Sequence, residues 1–287
     1  MKDHAVKGAF KTKLPRGDES PRSPLEFAVR RQAQSTLEMV QEAIKHNQTL
    51  LAFQPVIRAD TGGRIGFYEG LIRVLDHTGR IIPAGEFMSQ IEDTETGRAI
   101  DVLALRHGLN TLRKTPGLRL SINMSARSIG FKPWVHCLTR FLKETPDLGE
   151  RLILEISERS TMTVPELVID FMQRLQPQGI CFAMDQFGAD KMAIKYFRDF
   201  DFDIVKIDGQ FMRGIAQNPD NLAVTRALVA IAHEFEMLTV AESIENTQDA
   251  DLAANIGIDC LQGYYFAAPT TQPDWLRDRP DTALRTG

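Results

Sequence analysis

The stretch Ile65-Gly66-Phe67-Tyr68-Glu69-Gly70-Leu71-Ile72-Arg73-Val74-Leu75 reads as a β-strand with a carboxylate, Glu69, where the apolar pattern should continue. The same break recurs in four further apolar runs. Leu118–Ser125 holds Asn123, Leu152–Glu158 holds Glu155, Cys181–Gly188 holds Asp185, and Phe202–Asp208 holds Lys206. In a strand-helix barrel the downstream strand ends converge on one mouth, so these five residues are expected at five strand ends around a single opening. An all-oxygen set of Glu69, Asn123, Glu155 and Asp185 suits Mg²⁺ or Mn²⁺, whereas zinc favours His or Cys. The histidines His4, His46, His77, His107, His136 and His233 are scattered, and none is paired at metal-ligand spacing. Three carboxylates crowded in a partly dry cavity repel one another, so a metal or Lys206 must stand close.

Outward from these runs, strand and helix patterns alternate to the end of the chain. A helical period over Pro24–His46 leads into a first strand, Leu50–Ile57. Helices are predicted at Ile100–Arg113, Lys132–Lys143, Val164–Leu175, Met192–Phe197, Leu222–Phe235 and Asp249–Ile256, with further strands at Leu238–Glu242 and Cys260–Phe266. Eight strands separated mostly by helices, in about 250 residues, predict an α/β fold of the TIM-type (β/α)8 barrel class. The competing open, doubly wound sheet calls for a phosphate-binding glycine fingerprint after an early strand. Neither GxGxxG nor GxxxxGK[ST] occurs. The late strands extend the polar series with Glu242, a metal ligand or the base that orients an attacking water, and with Gln262, a holder of a base edge or phosphate oxygen. Gln54, at the end of the first strand, and Arg73, just past Glu69, are candidates for contacting an anionic ligand.

The 287 residues are 43% hydrophobic and 25% charged, enough for one large domain plus a tail. The domain is expected over residues 25–277, between a basic, disordered tail at 1–24 and a C-terminal tail at 278–287. A net charge of −4 gives no basic field for a phosphate backbone, which argues against general nucleic-acid binding. Cys137, Cys181 and Cys260 are far apart and without CxxC spacing, as suits packing residues in a reducing cytoplasm. No apolar run approaches the roughly 18 to 20 residues of a membrane span.

These residues resemble the EAL-domain family of bacterial cyclic-di-GMP phosphodiesterases over roughly residues 36 to 277. The resemblance runs through Phe53-Gln54-Pro55, Tyr68-Glu69-Gly70-Leu71-Ile72-Arg73, Ser121-Ile122-Asn123-Met124-Ser125 and Leu154-Glu155-Ile156-Ser157-Glu158. It continues through Asp185-Gln186-Phe187-Gly188, Val205-Lys206-Ile207-Asp208, Ala241-Glu242-Ser243-Ile244-Glu245 and Gln262-Gly263-Tyr264-Tyr265-Phe266, with Pro269 beyond. It implies a modified TIM-type barrel that binds cyclic-di-GMP across its mouth and, in active members, hydrolyses it to linear pGpG with two Mg²⁺ or Mn²⁺ ions. By the same resemblance Glu69, Asn123, Glu155 and Asp185 hold a first metal, and Asp185 with Glu242 a second. Lys206 orients the nucleophilic water or neutralises charge near it. Glu158 braces the loop after Asp185, and Arg73, Gln54 and Gln262 serve the ligand. Homodimers are common in that family, so a homodimer is among the expected partners.

Three departures from the family pattern bear on activity. Glu-Ala-Leu becomes Glu69-Gly70-Leu71, an exchange expected to cost on the order of 1 kcal/mol in backbone stiffness. The paired Asp-Asp before Phe-Gly becomes Asp185-Gln186, which deprives the second metal of a charged ligand; losing even an outer-shell partner costs roughly 10–100-fold. The loop resembling Thr-Gly-Tyr-Ser-Ser becomes Ala189-Asp190-Lys191-Met192-Ala193. Two functions follow as expectations: an attenuated phosphodiesterase, or a catalytically silent cyclic-di-GMP receptor using the same pocket. A protein-binding module without nucleotide would have an emptied pocket, and this one keeps its polar residues.

Overall fold

In the computed structural model of the chain, residues 24–60, 62–190 and 196–277 are described. The expected tails at 1–24 and 278–287 therefore lie outside the described residues, apart from Pro24, which begins the first helix. Of the helix predicted over Met192–Phe197 and the loop at 189–193, only Tyr196, Phe197, Ala189 and Asp190 are described.

Nine strands form one sheet: β1 (Thr49–Arg58), β2 (Ile65–Leu75), β3 (Ile81–Pro83), β4 (Leu120–Asn123), β5 (Leu152–Ser157), β6 (Cys181–Phe187), β7 (Ile204–Ile207), β8 (Leu238–Ala241) and β9 (Cys260–Leu261). The order is β1-β9-β8-β7-β6-β5-β4-β2-β3, and the further pairing of β1 with β2 closes eight strands into a barrel, leaving β3 on its outside. Neighbours from β2 through β4 to β9 are parallel, joined by helices including Glu95–Lys114, Lys132–Glu144, Pro165–Leu175, Pro219–Glu234 and Thr247–Asn255. The predicted barrel class is correct, and all eight predicted strands belong to the ring.

β1 is antiparallel to both β2 and β9, which makes the barrel a modified one. A connection as short as residues 59–64 cannot make the crossover that a parallel pair needs, so the chain turns back as a hairpin. Gly62 and Gly63 supply the left-handed backbone of that turn, at φ +64° and +88°. β9 is shorter than the expected Cys260–Phe266. The chain leaves the sheet at Gly263, where a Cβ would stand 2.0 Å from the Ile244 carbonyl oxygen, so only glycine allows the two backbones to pass.

Two apolar layers hold the barrel. The larger lies between strands and helices and includes Leu120, Leu154, Phe182, Trp134 and Phe141. A separate cluster of Val56, Phe67, Ile153, Ala183, Ile204, Val240 and Cys260 forms one layer across the barrel interior. No helix among the described residues is long and apolar enough to cross a membrane.

Candidate functional site

Above that inner cluster, the next inward-facing position of each strand carries a polar group. The period of two along a strand makes this a layer: Phe67 and Glu69, Ile153 and Glu155, Ala183 and Asp185, Ile204 and Lys206 share faces. The sequence placed five of these groups at strand ends, and for several the structure corrects that. Glu69 stands mid-way along β2, which runs on to Leu75 because it keeps pairing with β1 and β3 after β4 has ended. Lys206 lies within β7, and Gln54 lies in the middle of β1, directly opposite Glu69. Staggered strands in a barrel are cut by one plane at different points of each, so common height rather than strand end gathers these residues.

The Lys206 ammonium occupies the centre. It donates to Glu69 Oε2 and Glu155 Oε2, both at 2.9 Å, lies 2.9 Å from Glu242 Oε1, and is 3.8 Å from Asp185 Oδ1. Lys206 is 1% exposed and the Glu155 side chain 0%. Glu69 is also held by Asn123 Nδ2 at 2.7 Å and Gln262 Nε2 at 2.6 Å. Gln262 Nε2 reaches Gln54 Oε1 at 3.2 Å, and Gln54 in turn donates to the Ala267 carbonyl. The structure thus brings Gln54, Glu69, Asn123, Glu155, Asp185, Lys206, Glu242 and Gln262 together.

Four carboxyl groups face one ammonium, and the imbalance sets their protonation. Burial works against ionising Glu69, but Lys206, Gln262 and Asn123 together outweigh it and hold that carboxyl below its usual range. Burial, then the charge of Glu69, pushes Glu155 up to about 8. Burial chiefly raises Asp185, and it raises Glu242 to about 8, although Glu242 keeps 21% of its side chain exposed and solvent screens it more than Glu155. Lys206 is raised well above its ordinary value: burial disfavours its charge, and the surrounding carboxylates more than offset this.

The donor set fits a hard divalent cation. It is all oxygen, carries surplus negative charge, and leaves Glu155 Oε1 and Asp185 Oδ1 buried with no hydrogen-bond partner. Among the described residues no three Asp, Glu, His or Cys side chains close on one point in metal-ligating geometry. The point shared by Glu69, Glu155 and Glu242 is held by the Lys206 nitrogen, so a divalent ion would have to take over part of that neutralisation.

Around this centre the remaining sequence candidates divide. Arg73 is buried on the mouth side of Glu69 and donates to the Ile72 carbonyl at 3.0 Å; burial lowers its pKa, and the nearby Glu69 carboxylate opposes this. Glu158, fully buried at the start of helix Glu158–Thr163, accepts the Gly188 N–H at 2.7 Å and so ties down the turn after Asp185. Asp185 and Gln186 form a bulge: Met184 pairs with Val205 and Phe187 with Ile207, leaving both residues opposite Lys206. The bulge aims Asp185 inward and leaves Gln186 exposed at φ +58°. At Gly70 the structure gives the exchange a packing reason: an added Cβ would lie 2.7 Å from Ile122 Cδ1, which also presses on Gly108.

Sequence reasoning missed Asp101. From helix Glu95–Lys114 its Oδ2 accepts the Ser125 N–H at 3.0 Å and the Ser128 hydroxyl at 2.6 Å, fixing the turn that follows Asn123. Its only sequence signal is a lone acid beside Ile100 on an otherwise buried helix face. Tyr264, in the Gln262-Gly263-Tyr264-Tyr265-Phe266 motif, stands exposed beside Arg73.

Comparison with known proteins places this geometry. The EAL domain family matches residues 37–269, which takes in every strand of the barrel. The chain belongs to the EAL-domain family. Over 252 residues it is 27% identical to the cyclic di-GMP phosphodiesterase PdeF of Escherichia coli (strain K12), covering 83% of this chain and 32% of that protein. It is 30% identical over 237 residues to the signaling protein YkoW of Bacillus subtilis (strain 168), covering 80% of this chain and 29% of YkoW. The chain therefore spans about a third of the length of these curated relatives. Among solved structures, the FimX EAL domain from Pseudomonas aeruginosa bound to c-di-GMP superposes with a TM-score of 0.74 at 25% identity, covering 82% of this chain and 96% of that one. In this EAL domain the signature alanine is Gly70, and the residue after Asp185 is the neutral Gln186.

Proposed function

We infer that this EAL domain, spanning residues 25–277, binds cyclic-di-GMP across the barrel mouth and hydrolyses one phosphodiester to give pGpG, at a rate attenuated by Gln186 and the altered loop at 189–193. The observation that carries the reading is four carboxyl groups and one buried ammonium in one layer, with Glu155 Oε1 and Asp185 Oδ1 buried and without a hydrogen-bond partner.

Glu69, Asn123, Glu155 and Asp185 would hold one Mg²⁺ or Mn²⁺ ion, and Asp185 with Glu242 a second, weaker one. Such ions supply positive charge for the phosphoryl oxygens and bring water closer to hydroxide at neutral pH. Lys206 holds the carboxylates at fixed spacing and keeps positive charge beside the attacking water. Glu242, the most exposed carboxylate bound to Lys206, is placed to accept that water's proton in its ionised form, as the water oxygen bonds to phosphorus, the P–O3′ bond breaks and the 3′ oxygen takes a proton from solvent. Arg73, Gln54 and Gln262 serve the ligand, and Glu158 keeps the turn at Gly188 from drifting.

A second reading, a catalytically silent receptor, is favoured by Gln186 specifically, because an exposed neutral carboxamide replaces a charged ligand at the bulge. Incubation with cyclic-di-GMP and Mn²⁺ or Mg²⁺ decides between them. Slow pGpG formation, abolished by Glu69→Ala and accelerated by Gln186→Asp, is expected; binding without turnover selects the receptor, and absence of binding overturns both. A cytoplasmic location belongs to the same reading, supported by three cysteines that remain free. A homodimer rests on the family resemblance alone.

A further inference from the structure

The barrel has a second recess at the end opposite the candidate site. A cavity of about 730 Å³ opens there, walled by Phe67, Ile153, Cys181, Ile204, Val240 and Cys260. Most of these wall residues belong to the inner apolar cluster, and five of them stand two positions upstream of Glu69, Glu155, Lys206, Glu242 and Gln262 on their strands. One apolar layer therefore separates the two chambers. Barrels of this class normally fill their interior with side chains. This one stops short, and its lower rim exposes apolar surface: Leu238 is 52% exposed, and Ile65, at the start of β2, 47%.

Charge at that rim is unbalanced. Asp60, Glu150, Asp203, Glu236 and Asp259 line the recess against only Arg58 and Arg119. Arg58 is taken by Asp60 at 2.8 Å. Asp259 is occupied by Thr239 and His233, and Asp203 accepts the Phe182 N–H at 2.7 Å. Among the described residues, Glu150, Asp203 and Glu236 are exposed and enter no ion pair, with Arg119 the one basic rim residue in that condition. The volume falls within the range of small-molecule sites, roughly 300 to 1,000 Å³, and apolar walls with a few charged groups at the entrance are the usual anatomy of such sites.

We propose that the lower end of the barrel is a second binding site, taking a small amphiphilic cation whose apolar body enters the recess and whose ammonium is held by the acidic rim that includes Glu150 and Glu236. Charge selects the class: an anionic amphiphile of the same shape meets the acidic rim, while a cation is drawn to it.

Cys181 and Cys260 face the recess and Cys137 lies away from it in helix Lys132–Glu144, so alkylation reports occupancy without any measurement of turnover. The result therefore stands or falls independently of the proposed hydrolysis. The full chain is titrated with 4-phenylbutylamine, and iodoacetamide labelling at pH 9 is followed for each cysteine by peptide mass spectrometry. Saturating amine should slow Cys181 labelling at least about threefold and leave Cys137 unchanged, while 4-phenylbutyrate protects far less. Glu150→Gln and Glu236→Gln should each raise the half-protecting concentration about two- to fivefold, the range of an exposed charge pair. Both positions are on the surface, so the fold is retained. Absence of protection at millimolar amine, equal protection by the carboxylate, or indifference to both substitutions would overturn the proposal. So would a Cys181 already inert in the free chain, since another part of the protein would then fill the recess.

Discussion

Asp101→Asn should remove Asp101's share of the fall in stability expected of the native protein between pH 5 and pH 8. Asp101 is 4% exposed, and burial, opposed by its bonds from Ser128 and Ser125, raises its carboxyl from 3.8 to about 7. Between those values the folded chain keeps a proton that the unfolded chain has released, so stability falls as pH rises and the loss is complete above about pH 7. A shift of about 3 units at about 1.4 kcal/mol each sets an upper bound of about 4 kcal/mol, and relaxation around a charged Asp101 should leave about 1–3 kcal/mol. Asparagine keeps an oxygen to accept both serine donors and has no proton to lose. Urea unfolding at pH 5, 6, 7 and 8 measures the difference between the two proteins, which cancels the titration of Glu155 and Glu242. The substitution should be clearly more stabilising at pH 8 than at pH 5. Parallel pH profiles would refute the reasoning, because they would mean Asp101 is ionised in the folded chain throughout.

Lys206→Met removes the cation shared by three carboxylates at 2.9 Å and should cost about 3–5 kcal/mol at pH 8 in EDTA, less at pH 5 where protonation substitutes for the ammonium; thermal melts at both pH values check it. Gly70→Ala drives a Cβ to 2.7 Å from Ile122 Cδ1 and should destabilise by about 1–2 kcal/mol, and in an Ile122→Val background the cost should shrink, as a double-mutant cycle in urea would reveal. Glu158→Gln weakens the bond to the Gly188 N–H; amide hydrogen exchange over residues 186–190 should accelerate several-fold while β4 and β5 stay protected.

Much of the barrel was legible because each strand is an apolar run broken once by a polar residue, and because β5 and β6, buried on both faces, show no alternation that would suggest a different class. The direction of β1 was not read, since an antiparallel strand has the same composition as a parallel one; only the short, Gly62-Gly63 connection distinguishes it. The site's membership was legible from residue type, whereas its height was not. Glu69 and Lys206 lie within their strands, and the stagger that levels them with Asn123 belongs to the closed sheet rather than to any segment. Asp101 was hidden because its partners, Ser125 and Ser128, are some 25 residues away in sequence and only the helix packing brings them together.

We infer that surplus carboxylates in one buried layer form a divalent-cation site beneath the dinucleotide. Titration of Mn²⁺ into the chain with cyclic-di-GMP present, followed by electron paramagnetic resonance, tests it most directly. Saturable loss of the free Mn²⁺ signal is expected with the native protein, and loss of that binding in Glu69→Ala and Glu155→Gln; a native protein that leaves Mn²⁺ free, or variants that bind it equally well, would mean that these carboxylates hold no divalent ion.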